Sequence, residues 1–172
     1  SQAISPTARA TVRAAVEMAR AGGARVAFDT NLRVKLWSVE EARAALDEVV
    51  PFLDVILPSA PEESEALLGL TDPTAIIEHF WRLGVPTVAV KVGAEGCVLG
   101  SDGAITRVPA HPVGVVVDTT GAGDAFDAAF LHGQAHGRDP LTAARMGTVL
   151  AGLKCRGRGA TASLPTRAEF ER

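Results

Sequence analysis

At 172 residues, 47% hydrophobic and 22% charged with a net charge of −3, the chain has the makeup of an ordinary soluble globular domain. The weakly acidic balance offers no basic stripe to nucleic acid and no attraction to an anionic membrane, and no apolar run reaches the ~18 residues of a bilayer span. No signal peptide is expected, and the two cysteines, Cys97 and Cys155, lack metal-ligand spacing, so a reduced pair in the cytoplasm is the expectation.

Along the chain, Ser5-Pro6 opens a helix with a hydroxyl cap and a proline in the first turn. Ala10, Val12, Ala15, Val16 and Ala19 carry it to Gly22-Gly23. A short strand over 25–28 leads into Asp29-Thr30-Asn31-Leu32-Arg33. Ser38 with Glu41 three residues on is a capping box, opening a helix through about Val50. A second strand covers 54–57, and Ser59 to Leu68 is a loop and short helix stopped by Gly69. Asp72-Pro73 starts the next helix, which ends near Gly84, and Thr87 to Val92 is a third strand. Two short runs, 97–99 and 105–108, flank Ser101-Asp102-Gly103 and predict an antiparallel edge hairpin. Val113-Gly114-Val115-Val116-Val117 is short and β-branched, the pattern of a buried strand. A helix opens at the glycines 121–123, another runs from Pro140 to about Lys154, a glycine-rich loop covers 156–163, and a last short helix lies near Thr166. Strands alternating with helices predict a single α/β domain over 1–172: a doubly wound, mostly parallel sheet flanked by helices, with its ligands beyond the strand C-termini.

The stretch that carries chemistry is Asp118-Thr119-Thr120-Gly121-Ala122-Gly123-Asp124-Ala125-Phe126. A Gly-Ala-Gly turn at a helix N-terminus exposes backbone N–H groups without intrahelical partners, and small side chains let an anion approach them. Asp124 would repel that anion unless it faces a substrate hydroxyl. Base, acceptor oxygen and phosphate in line, with amides taking up the transition-state charge, is the layout of a phosphoryl transferase. The nine residues resemble the signature of the ribokinase-like (PfkB) carbohydrate kinases. That resemblance implies Asp124 as the base, Gly121, Ala122 and Gly123 as the anion hole, and Thr119 beside the nucleotide.

The resemblance extends to other stretches. Asp29-Thr30-Asn31-Leu32-Arg33 with Leu36-Trp37 is similar to a segment of the 2-keto-3-deoxygluconate kinase branch, with Thr30 where proline is usual. It implies Asn31 at the nucleotide phosphates and Arg33 at a sugar acid, whose carboxylate suits a planar guanidinium. Ser59-Ala60-Pro61-Glu62-Glu63 resembles the family's Asn-x-x-Glu motif, which orders Mg²⁺ through water, with Ser59 in the asparagine's place as in that branch. Counting from Ser59 selects Glu62, the preferred residue, whereas counting back from Gly69 selects Glu63; complementing a helix N-terminus explains either. Lys91-Val92-Gly93-Ala94-Glu95-Gly96 resembles the segment beside the nucleotide. Lys91 has two readings, a ligand phosphate or snorkelling to the strand end. Asp118, Thr120, Gly157, Gly159 and Ser163 match positions that hold K⁺ in potassium-activated members; a hydrogen-bonded turn is the plainer reading. His111, His132 and His136 read as surface or packing residues, with a His132–His136 metal pair as the lesser alternative, and Asp127 reads as a local cap or partner, with a substrate contact as its alternative.

These readings imply ATP and Mg²⁺, with K⁺ in some members, and phosphorylation of a primary hydroxyl on a sugar or sugar acid. The alternative is a non-catalytic nucleotide-binding or interaction module. The resemblance covers only the second half of the family's length. The leading strands, the β lid and most sugar contacts are therefore expected to be absent, and the full-length protein is expected to be a homo-oligomer.

Overall fold

Side-chain caps set where most of the helices begin. The computed structural model describes residues 2–170. The chain divides into two compact units, Ser1–Val90 with Gly100–Gly103, and Lys91–Leu99 with Ala104–Arg172. Five strands form a sheet in the order β1 (Ala27–Phe28), β2 (Val55–Ile56), β3 (Thr87–Lys91), β4 (Cys97–Ser101) and β5 (Ala104–Val108). The pairings of β2 with β1 and β3 are parallel, with Ala27 opposite Val55 and Val55 opposite Thr87.

In the first unit, α1 (Pro6–Ala21) starts on the Ser5 hydroxyl, which accepts from Ala8 N at 3.1 Å. The capping box on α2 (Val39–Val49) forms as predicted, Ser38 and Glu41 each accepting from the other's amide. Asp72 caps α4 (Pro73–Arg82), and Gly69 ends α3 (Glu62–Leu68) in the left-handed conformation. Ala45 and Val49 of α2 and Ile76, Ile77 and Phe80 of α4 are fully buried. Removing such an aliphatic or aromatic side chain from water contributes about 1.5–3 kcal/mol. Gly100 lies so close to α4 that a Cβ would sit 2.3 Å from Ile77 Cγ2. The strands β1 and β2 are shorter than the apolar runs that predicted them. Their alignment is fixed at one end by Asp54, whose carboxylate accepts from Val26 N at 2.7 Å and from the Arg20 guanidinium at 2.7 Å.

The hairpin between β4 and β5 turns at Asp102 (φ 52°) and Gly103 (φ 76°). Two consecutive positive φ values are those of the tight two-residue turn whose twist matches an antiparallel pair. In the second unit α5 (Ala122–Ala135) and α6 (Pro140–Lys154) pack closely because small residues lie at the crossing. A Cβ on Gly147 would come 2.7 Å from the Phe126 ring, and one on Gly133 would come 3.1 Å from Ala143 Cβ. Phe126 and Phe130 stack along α5 with centroids 6.0 Å apart. A short helix, α7 (Arg167–Phe170), follows the glycine-rich loop.

One expectation is overturned. Residues 113–117 are not a strand, and Val115, Val116 and Val117 are 78%, 56% and 49% exposed. A β-branched run becomes a strand only when a neighbour completes its ladder. Here the amides of Val117 and Asp118 go instead to Cys155 O at the end of α6, at 2.8 and 3.3 Å.

Candidate active site

The second unit builds its site on the start of α5. Ala122 N donates to Thr119 O at 3.0 Å, closing a turn whose third residue is Gly121 at φ 79°, ψ 8°. Those angles belong to a type II turn and favour glycine. Glycine is needed a second time for space, because a Cβ there would lie 3.1 Å from Ala160 O. No side chain caps this helix. The first intrahelical amide is that of Ala125, donating to Gly121 O at 2.9 Å. Ala122's amide is thus spent on the turn, while those of Gly123 and Asp124 are the helix's N–H groups without intrahelical partners, at the positive end of a 14-residue dipole. The Asp124 side chain is exposed in this first turn.

Beside the turn opens a cleft of about 430 Å³, within the range of small-molecule sites. Lys91, Gly93, Gly96, Thr119 and Gly123, all expected at the nucleotide, line it. Much of the remaining wall is apolar or backbone, including Val113, Val116, Phe126, Ala151 and Gly152. His111 also lines it, which its reading as a surface or packing residue did not foresee. Nothing in the local sequence marks this; the fold brings the chain against α6, where a Cβ on Gly152 would sit 3.0 Å from His111 O.

Lys91 and Asp127 form a pair that the local sequence pattern did not indicate. The Lys91 ammonium meets both Asp127 carboxylate oxygens, at 3.1 and 3.0 Å, and both residues are buried. Asp127 therefore pairs across 36 residues. Lys91 Nζ would lie 3.7 Å from a Cβ on Gly123, so the ion pair sits under the glycine turn and fixes the first turn of α5. Asp118 organises the other side of the turn. Its carboxylate is held well below the usual range by the Thr120 hydroxyl and amide, then by the Gly159 amide and the charge of Lys154. Gly157 packs tightly against Ser163, where a Cβ would come 2.9 Å from the serine Cβ.

The first unit carries the remaining predicted residues. Asn31 (φ 38°) and Arg33 are exposed in the loop after β1. Glu63 holds that loop: it accepts from Leu32 N at 2.7 Å, from Ser59 N at 3.1 Å and from the Thr30 hydroxyl. Glu62, one residue earlier, is exposed at the first turn of α3. A hydrated Mg²⁺, which keeps much of its water shell, fits an exposed carboxylate such as Glu62 better than one spent on three donors. Among the described residues no group of three or more His, Cys, Asp and Glu side chains gathers as a metal site. His132 and His136 are exposed neighbours with ring centroids 4.0 Å apart. No helix among the described residues is long and apolar enough to cross a membrane.

An uncapped helix start beside an apolar cleft, in an α/β chain, is an arrangement suited to receiving an anion. Residues 3–167 match the pfkB family of carbohydrate kinases, and the chain belongs to that family. The 2-dehydro-3-deoxygluconokinase of Dickeya dadantii is 33% identical over 161 residues, covering 91% of this chain and 52% of the relative. Among solved structures, a fructokinase from Vibrio cholerae bound to fructose, ADP and calcium superposes with a TM-score of 0.89 at 28% identity, over 98% of this chain and 56% of its own. An Escherichia coli protein described as a putative ribokinase II, in complex with ATP and Mg²⁺, gives a TM-score of 0.82 at 31% identity, over 93% of this chain and 51% of its own. The chain spans about half the length of the curated relatives it matches.

Proposed function

We propose that this chain carries the nucleotide and phosphoryl-transfer portion of an ATP-dependent kinase acting on a sugar acid of the 2-keto-3-deoxygluconate type. The observation that carries the reading is the glycine-started α5, whose open amides and exposed Asp124 share one turn beside the cleft. On this reading the apolar wall from Val113 to Gly152 receives the base and ribose of ATP, while Gly93, Gly96 and Thr119 border its phosphates. Asp124 accepts the proton of the substrate's primary hydroxyl as that oxygen attacks the γ-phosphorus, and the leaving ADP takes the displaced bonding electrons. The amides of Gly121, Gly123 and Asp124 stabilise charge on the transferring phosphoryl oxygens, with Ala122 holding the turn that aims them. Lys91, neutralised by Asp127, keeps the floor of the turn rigid. Glu62 would hold hydrated Mg²⁺, which when bound would supply charge neutralisation for the nucleotide phosphates. Arg33 offers a planar fork to the acid's carboxylate and Asn31 an amide to the phosphates, an assignment supported by the likeness to the Dickeya relative. The buried free thiols of Cys97 and Cys155 accord with a reducing cytoplasmic setting, where we place a homo-oligomeric full-length enzyme.

The test is Asp124→Asn in the full-length protein, with Mg-ATP binding measured by calorimetry beside turnover on a panel of sugars and sugar acids. We expect binding to persist and turnover to fall by about 10²–10⁴-fold, the usual contribution of a positioned base. Near-normal turnover would remove Asp124 as the base. ATP binding by the unaltered protein without transfer to any acceptor would favour the non-catalytic module.

A further inference from the structure

The residues that the family resemblance assigns to K⁺ all lie in the second unit, and several of their oxygens already accept hydrogen bonds. Potassium needs several oxygens whose lone pairs converge on one unfilled position. Asp118 Oδ1 accepts from Thr120 N at 2.9 Å and Oδ2 from Gly159 N at 2.8 Å. Gly159 O accepts from the Ser163 hydroxyl at 3.0 Å. The main-chain oxygen of Asp118 accepts from Lys154 Nζ at 2.8 Å. Each of these four oxygens already accepts from a donor, and one of the donors is a full positive charge.

Lys154 is the unexplained member. It is 0% exposed, one of three lysines in the chain, and it ends α6. A buried ammonium is costly unless something is gained by its charge at that place. Its neighbour Cys155 presents a carbonyl that receives the amides of Val117 and Asp118. The end of α6 thus delivers a carbonyl and a positive charge to the two residues that open the site turn. An ammonium carries the same charge as potassium at closely similar size, and binds the same kind of oxygen.

We propose that the Lys154 ammonium is a tethered replacement for the monovalent cation, ordering the 118–120 turn and the 156–163 loop so that this chain takes up no potassium there. The proposal rests on the family reading of this loop but not on phosphoryl transfer, and it is tested without turnover. The tether makes the cation independent of salt composition and immune to exchange.

The experiment is thermal unfolding of the chain at constant ionic strength in potassium, sodium or tetramethylammonium chloride, with the Gly159 amide followed by NMR. Wild-type Tm and the Gly159 signal should be the same in all three salts. Lys154→Met, which keeps the stem and removes the charge, should lower Tm in tetramethylammonium and regain several degrees in a saturable way in potassium. A saturable rise in wild-type Tm, or a saturable shift of the Gly159 amide, with potassium but not tetramethylammonium would overturn the proposal. So would a loss of stability in Lys154→Met that no monovalent cation restores, since Lys154 would then be a buttress and no replacement ion. If Lys154→Met does not fold in any salt, the wild-type titration decides alone. Every one of these readouts stands whether or not Asp124 proves to be a base.

Discussion

The two long helices of the second unit begin in opposite ways. α6 starts on Asp139, whose carboxylate accepts from Thr142 N at 2.9 Å and from its hydroxyl, with Pro140 in the first turn. α5 starts on a left-handed glycine with no side-chain cap. α1, α2 and α4 of the first unit follow the α6 pattern, with Ser5, Ser38 and Asp72 as caps. Among the described helices of ten residues or more, four start on a side chain that satisfies an orphan amide and α5 does not; the seven-residue α3, which starts after Pro61, also lacks a cap. The contrast sets the α5 start apart more sharply than the glycines alone, because glycine also ends helices at positions 23 and 69.

The largest effect should come from removing what holds the uncapped start in place. Lys91→Met leaves Asp127 buried without its ammonium and should cost about 3–5 kcal/mol, read by denaturant unfolding. Lys91→Met with Asp127→Leu should recover most of that, because an apolar pair of similar volume leaves no buried charge. A loss under 1 kcal/mol in the single variant would mean that the pair does not hold the turn. Gly121→Ala comes next. A residue with a Cβ at φ 79° costs about 1–2 kcal/mol, and this Cβ also crowds Ala160 O. Calorimetry should show weakened Mg-ATP binding along with the lost stability; unchanged binding would separate the turn from the nucleotide. The smallest effect belongs to the capped start. Asp139→Ala should cost about 1 kcal/mol, the usual value of an N-cap, and leave nucleotide affinity unaltered. Equal losses of affinity in Gly121→Ala and Asp139→Ala would erase the distinction between the two helix starts.

The division between what could be read from sequence and what could not follows the range of the interactions. Caps, glycine stops and the tight turn at 102–103 are decided by residues within four positions of one another, so α1, α2, α4 and α6 begin and the hairpin turns where the chain predicts. The turn and helix start at 118–124 were legible for the same reason, since the glycines, the helix start and the exposed carboxylate are contiguous. Long-range partners were not. Lys91 with Asp127, and Lys154 with the Asp118 carbonyl, each join residues 36 positions apart, and Glu63 reaches Thr30 across 33. Nothing in the local pattern around Lys154 marks it as buried, because a lysine in the last turn of a helix ordinarily complements the dipole from solvent. The valines at 113–117 mislead for the converse reason. Their β-branched pattern is local, but a strand needs a ladder partner, and only the tertiary structure gives the amides of 117 and 118 to the carbonyl of Cys155 instead.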